Sequence, residues 1–376
     1  MSGRGDTIAR VSVRTASRRY RSAFRNPHHP WTAKHAVLAF VETRAGALGV
    51  GEAWCDSGTP DSVAAIIEQD LAPLVTDQPV SAPEALWARM LRPEVMSVKG
   101  GALYAAASAV DTAVWDAFAR TLGQPLYRLL GGAREAVPVY GSSGLYAEGY
   151  GADDLARDMA AAMAEGVCGV KIKVAGAPIA EDVRRAAAVR KAIGPELRLM
   201  VDALFAQDIA QAIRLGRALV PYDLWFYEAP TDRHDLNGWA DIRRATGLPL
   251  SGPEVAAGLW NFRRALELNA VDYLQADATI CGGVTEARRI AALAQAFHRP
   301  LTLHASGSAV AFAANAHCAA GLQAGESLER HLLHQAWFER LWDGGWRIGG
   351  GCIHLPDAPG LGVDLHPDRL PPLEDI

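Results

Sequence analysis

Gly169-Val170-Lys171-Ile172-Lys173-Val174 decides how the rest of the chain is read. In an extended strand successive side chains alternate faces, so Lys171 and Lys173 share one side and Val170, Ile172 and Val174 the other. An apolar face needs cover. A closed barrel supplies it, with helices over the apolar face and both lysines pointing inward at the mouth. Ammonium groups held close and partly buried disfavour each other's charge. Moving a lysine from about 10.4 to about 7, where it serves as a base, takes about 4–5 kcal/mol, which a neighbouring cation plus desolvation can supply. Two solvated lysines on an exposed strand end would need none of this, and the flanking sequence decides between the two readings.

Outward from this strand, the chain beyond Val137 keeps a beat. Short apolar runs fall at 137–141, 168–174, 198–203, 223–228, 248–252, 272–277, 300–304 and near 326–330. Helical patterns lie between them, as at Ala152–Glu165, Glu181–Ile193, Ile209–Leu219, Leu259–Leu268 and Val284–Phe297. Strands alternating with helices predict parallel βαβ units, and eight such strands predict a (β/α)8-type barrel. Residues 1–132 read differently. Strands at 8–20 and 35–43 precede helices near 61–72, 83–91 and 103–121, which predicts an α+β domain ending at Gly131-Gly132.

Each barrel run after the first closes on or just before an ionisable residue: Lys173, Asp202, Glu228, Glu254, Asp277, His304 and Glu329. Their successive separations are 29, 26, 26, 23, 27 and 25 residues, one βα unit each time. Barrel chemistry sits at the C-terminal strand ends, so these seven converge on one rim. Asp202, Glu228 and Glu254 form an all-oxygen set, which favours Mg²⁺; salt bridges to the two lysines are the competing reading. Lys173 precedes this trio in strand order and His304 follows it, with Asp277 placed to orient the imidazole. A cation flanked by two bases suits removal of a proton beside a carboxylate, through an enediolate.

Composition is consistent with an enzyme of this kind. The 376 residues are 50% hydrophobic and 21% charged, and the net charge of −5 argues against a nucleic-acid partner. No apolar run is long enough for a transmembrane helix. Five scattered cysteines (Cys55, Cys168, Cys281, Cys318, Cys352) read as reduced thiols of a cytoplasmic protein. The alternation from Ile8 to Arg14 favours a folded strand over a transit peptide at the start.

The sequence resembles the enolase superfamily, within its mandelate racemase group. The resemblance spans nearly the whole chain, through Gly51-Glu52, Ala109-Val-Asp-Thr-Ala-Val-Trp-Asp116, Leu129-Leu-Gly-Gly132, Val170-Lys-Ile-Lys173, Val201-Asp202, Tyr227-Glu-Ala-Pro230, Gly252-Pro-Glu254, Asp277-Ala-Thr-Ile-Cys-Gly-Gly-Val284, His304 and Pro356-Asp-Ala-Pro-Gly-Leu-Gly362. It implies a modified (β/α)7β barrel over residues 133–351. The α+β domain of residues 1–132, completed by a tail from about 352 to 376, would cap that barrel. It carries over Lys173 as one base with Lys171 beside it, His304 with Asp277 as the opposed dyad, and Asp202, Glu228 and Glu254 as ligands of one Mg²⁺ per subunit. Glu329 would donate a hydrogen bond to the substrate carboxylate in its protonated form. Relatives that form lactones or epimerise dipeptides have a lysine just after the strand-six acid; here Ala278-Thr279-Ile280 follows Asp277. Leu204 stands where the family often has Asn, and Pro253 where Gly is commoner.

The function this implies is Mg²⁺-dependent dehydration of a small sugar-acid carboxylate by a homo-oligomeric lyase. Racemisation, epimerisation or lactone cycloisomerisation by the same two bases is the alternative. A silent barrel that only binds an acid is a third reading. The basic segment with Arg18, Arg19, Arg21, Arg25, His28, His29 and Trp31 reads equally as a solvated hairpin or as a lid over the substrate's distal end. Trp54 and Asp56 are candidates for a second lid.

Overall fold

The computed structural model describes residues 6–55, 60–91, 100–334, 345–368 and 370. Strands β1 (Ile8–Arg25), β2 (Pro30–Thr43) and β3 (Leu48–Ala53) form an antiparallel sheet in that order. The period-2 pattern of β2 explains its place. Val37, Ala39 and Val41 pack into the core under the cap helices, whereas Ala36, Leu38 and Phe40 join the core shared with the barrel. Most of the basic segment is strand, with the turn confined to residues around Asn26–His29. Asp56 lies outside the described residues.

The helix Gly100–Thr121 lies against β3 at very short range. A Cβ on Gly49 would sit 2.1 Å from the Ala113 carbonyl oxygen, and one on Gly51 2.0 Å from that of Ala109. Glycine on the strand and alanine on the helix are what allow this approach.

Eight parallel strands follow: β4 (Ala136–Ser143), β5 (Gly169–Lys173), β6 (Arg198–Asp202), β7 (Leu224–Glu228), β8 (Leu250–Gly252), β9 (Tyr273–Ala276), β10 (Leu301–Leu303) and β11 (Gly325–His331). Pairing of β11 with β4, Leu328 opposite Val139, closes the barrel. Seven helices join the eight strands, so the closure is (β/α)7β. Five of them match the helical patterns of the sequence. The other two are Leu236–Thr246 and Ala309–Gly321. Every residue of Ala309–Gly321 is buried, so no polar stripe marks it. On β5, Val170 and Ile172 pack outward into the main core, and both lysines are buried on the inner face. Tyr140, Met200 and Phe226 fill the barrel floor. A hairpin of β12 (Arg347–Gly349) and β13 (Cys352–His354) extends the sheet antiparallel to β4.

Buried carboxylates hold cap and barrel together. Glu52 on β3 accepts hydrogen bonds from the Ser308 amide (3.1 Å), the Ser308 hydroxyl and the Ala311 amide (3.1 Å), at the start of the Ala309–Gly321 helix. There the helix macrodipole favours negative charge. Asp111 accepts from the amide and hydroxyl of Thr285 at 2.9 and 2.7 Å, and Asp116 from the amides of Val50 and Leu361 at 2.9 and 2.7 Å. Gly51→Ala is expected to destabilise the protein by about 1–3 kcal/mol or more through overpacking, read as a lowered thermal midpoint. An unchanged midpoint would contradict the close helix–strand approach.

Candidate active site

The β-strand register sets the site. Lys173 pairs with Asp202 across β5–β6, and Asp202 with Glu228 across β6–β7. Glu254, Asp277 and His304 follow the last residues of β8, β9 and β10, and Glu329 lies on β11. A cavity of about 230 Å³ opens above this rim. Lys173, Glu254, His304, Glu329 and His331 line it from the barrel, and Asn26, His28, His29, Trp31 and Trp54 from the cap.

Lys171 Nζ reaches both oxygens of Glu228 (2.6 and 2.7 Å), Glu329 Oε2 (3.1 Å) and Asp202 Oδ2 (3.9 Å). Lys173 Nζ bonds Asp202 Oδ2. The expectation that like charge lowers the lysine base is corrected here for Lys171. Burial alone would lower its pKa, but Glu228, Glu329, Tyr140 and Asp202 raise it well above the ordinary value. A carboxylate, not the other lysine, is each ammonium's nearest charge. Glu329 is likewise corrected: burial would raise its pKa, but Lys171, His304 and the other nearby bases hold it well below the usual carboxylate range. Beside Lys171 and His304 its ionised form is favoured over the protonated donor.

The acids sort by their partners. Lys173 and Lys171 outweigh burial at Asp202 and lower its pKa. Burial, with repulsion from Asp202, Glu329 and Glu254, pushes Glu228 up to about 8 despite Lys171. Burial and Asp202 push Glu254 up to about 7. Both Glu254 carboxylate oxygens are buried without a hydrogen-bond partner among the described residues. Among the described residues no group of three or more His, Cys, Asp or Glu side chains is placed to hold a metal ion. The lysines hold the oxygens of Asp202 and Glu228 instead. In kind the donors nonetheless suit a hard divalent cation: three buried carboxylates, of which Glu254 has neither oxygen paired among the described residues.

Across the mouth, His304 Nδ1 lies 2.8 Å from Asp277 Oδ2, and its Nε2 lies 3.8 Å from Glu329 Oε2. Asp277 Oδ1 accepts from the amide and hydroxyl of Thr279, both at 2.7 Å, and from Asn315 Nδ2 at 2.9 Å. A carboxylate so held fixes the imidazole with Nδ1 as donor and Nε2 facing the cavity. Burial would lower the His304 pKa, but Glu329 and Asp277 raise it.

All eight site residues singled out from the sequence thus stand around one rim. The basic segment divides: His28 and His29 line the cavity, whereas Arg25 leaves it, donating to the Gly176 carbonyl and lying 4.7 Å over the Tyr146 ring. Arg18 is buried and Arg19 exposed. At the family's Asn position the backbone carbonyl of Leu204 lies 2.5 Å from His28 Nε2. Sequence reading missed Gln275, which donates to Glu228 Oε2 at 2.9 Å, and Asn315, His331 and His334. Gln275 sits two residues before Asp277, the strand period that also placed Lys171, so a signal existed. Asn315 lies in a wholly buried helix and carried none.

Comparison with known proteins agrees in extent. Residues 9–131 match the mandelate racemase/muconate lactonizing enzyme N-terminal domain, and residues 154–369 the enolase C-terminal domain-like family. The arabinonate dehydratase of Saccharolobus solfataricus is 31% identical over 329 residues, 88% of each chain. The 3,6-anhydro-alpha-L-galactonate cycloisomerase of Streptomyces coelicolor is 32% identical over 336 residues, 89% of this chain and 90% of that one. A magnesium-bound racemase from Streptomyces coelicolor A3(2) superposes with a TM-score of 0.88 at 30% identity, covering 95% of this chain and 97% of that one.

The raised acids give a pH test. A carboxylate whose folded pKa exceeds its unfolded value of 4.5 contributes stability below 4.5 that is lost as pH rises through the folded value. Metal-free protein therefore loses stability as pH rises to about 8, as Glu228 and Glu254 ionise against each other. Mg²⁺ offsets the loss, so the gap between melting temperatures with Mg²⁺ and with chelator widens over that range. A gap independent of pH would count against the three-acid site.

Proposed function

This chain belongs to the mandelate racemase/muconate lactonizing enzyme family of the enolase superfamily, and we propose that it is a Mg²⁺-dependent acid-sugar dehydratase. What supports this reading is that Lys173, Glu254 and His304 line one cavity, with the buried carboxylates of Asp202 and Glu228 bonded to Lys173 and Lys171 beside it. Asp202, Glu228 and Glu254 would hold one Mg²⁺ per subunit. When bound, it supplies positive charge for the substrate carboxylate and for the negative charge that develops there. A magnesium-bound relative of the same fold supports the choice of ion.

Lys173 Nζ, which stands beside Asp202, removes the proton next to the carboxylate; Asp202 would be one of the residues that hold the ion. The electron pair passes into the carboxylate as an enediolate, then expels the hydroxyl on the next carbon. His304 Nε2, oriented by Asp277 through Nδ1, delivers the proton that turns this hydroxyl into water. Against burial, Glu329 and Asp277 raise the His304 pKa and so favour the protonated ring. The enol left behind tautomerises to a 2-keto-3-deoxy acid. Lys171 stays charged among Glu228, Glu329 and Asp202 and holds them in place. The cap closes the site from water with Trp31 and Trp54.

A second reading is favoured by the cycloisomerase and racemase relatives: the same two bases exchange protons without loss of water. Solvent deuterium entering substrate with no keto product would mark it. We further place the domain division after Gly132; Cys352–His354 pairs with barrel strand β4, so the tail that completes the cap begins beyond it. The bonds of Leu361 and Val363 to Asp116 and Arg120 support this. A cytoplasmic homo-oligomer is in keeping with the free thiols of Cys168, Cys281, Cys318 and Cys352 and with an exposed Trp260. Among the described residues no helix is long and apolar enough to cross a membrane.

The test is a screen of aldonic and aldaric acids with Mg²⁺, followed by Lys173→Ala and His304→Ala on whichever acid is turned over. Each substitution is expected to lower kcat by about 10²–10⁴-fold. Keto-acid formation that persists in both variants would overturn the assignment of the two bases.

A further inference from the structure

His331 ends β11 and lines the cavity, yet the reaction above does not use it. It is 2% exposed, and neither ring nitrogen has a hydrogen-bond partner among the described residues. Its ring stacks on His334, with centroids 4.2 Å apart and planes at 21°, and meets the Trp31 ring edge-on at 5.6 Å. His334 is fully committed: Nδ1 lies 3.1 Å from the Tyr20 hydroxyl of the cap and Nε2 3.3 Å from Ser306 Oγ. The stack therefore fixes the plane of His331 from both the barrel and the cap while leaving its two nitrogens free.

An unmatched buried donor or acceptor costs about 1–3 kcal/mol, so two on one ring imply something that pairs with them. Burial, with Lys173, Lys34 and Lys171 nearby, pushes the His331 pKa down to about 3 against the pull of Glu329. The ring is thus neutral, with one N–H donor and one acceptor nitrogen. Whichever ring nitrogen faces the cavity, a hydroxyl pairs with it, accepting from the N–H or donating to the bare nitrogen. A carboxylate can only accept. Strand geometry gives the position: His331 shares its face of β11 with Glu329 and lies two residues, about 6.6 Å, further out. Glu329 stands beside Lys171 and His304, where the substrate carboxylate and reacting carbons go; His331 stands toward the cap.

We propose that His331 is a substrate-binding residue that hydrogen-bonds a hydroxyl near the distal end of a polyhydroxy monocarboxylate, which makes the preferred substrate an aldonate. This rests on the acid-sugar reading above and narrows it. The contact is made by an aromatic stack that spans cap and barrel, so it also reports that the cap is seated.

Calorimetric binding with Mg²⁺ tests it without requiring turnover. The probes are five- and six-carbon aldonates, their counterparts with one hydroxyl beyond carbon 3 replaced by hydrogen, and the matching aldarates. The wild type is expected to bind one aldonate at least about tenfold more tightly than one of its deoxy counterparts, and more tightly than the aldarate. His331→Phe, which keeps the stacking surface, is expected to weaken the parent to the level of that deoxy compound and to erase the difference between them. His331→Asn is expected to retain part of it. If neither variant folds, the wild-type comparison still decides. Wild-type indifference to every distal hydroxyl, a preference for the aldarate, no aldonate binding, or undiminished discrimination in folded His331→Phe would each overturn the proposal. Turnover of the same compounds separates the two readings. Discrimination that depends on His331 without loss of water sinks dehydration alone. Loss of water with discrimination unchanged in His331→Phe sinks this assignment alone.

Discussion

Excess buried negative charge at the barrel mouth is the constraint that the rest of the structure serves. Asp202, Glu228, Glu254 and Glu329 are all 1% exposed, and within the barrel the neighbouring cationic groups are Lys171, Lys173 and the imidazole of His304. Buried ions lose several kcal/mol each in hydration, which their partners must offset. Asp202 and Glu329 are matched and stay ionised. Glu254 has no such partner among the described residues, and although Lys171 spans both oxygens of Glu228, burial and the neighbouring acids push the pKa of both upward. A divalent ion meets that excess of negative charge directly. The lysines serve as stand-in counterions, which accounts for their being drawn to carboxylates despite standing two residues apart on one strand.

The barrel alone does not finish the site. Strand ends supply the charge, but the cap supplies the enclosure, and a few buried acceptors fix its seating. Glu52 on β3 receives the first amides of the helix that follows His304, and Asp111 the start of the helix that follows Asp277. Both members of the His304–Asp277 dyad are therefore followed by helices anchored from the cap. The close approach of β3 to the Gly100–Thr121 helix, made possible by Gly49 and Gly51, gives those anchors a firm base.

Much of this was legible in the chain. The beat of apolar runs, each after the first closing on or just before an ionisable residue about 26 positions after the last, gave the barrel strands nearly residue by residue and placed the rim. Register could do so because one βα unit returns the chain to the same height. What escaped was of three kinds. The helix Ala309–Gly321 is buried on every side, so no polar face marks its period. The ionisation of Lys171 and Glu329 depends on which oxygen lies nearest, a matter of tenths of an ångström that no spacing encodes. His331 and His334 mean little apart; only folding stacks them against Trp31 and Tyr20 from the far end of the chain.

The Glu52 bond to Ser308 has a structural corollary. Ser308 lies four residues beyond His304, so the loop that presents the imidazole is clamped at its far end by a side chain of the cap. Severing the two modules would leave a barrel with its rim intact but His304 loosely tethered. Transplanting this barrel beneath a foreign roof would require an acid at the same point of the donor sheet, whatever else the new roof was chosen to recognise.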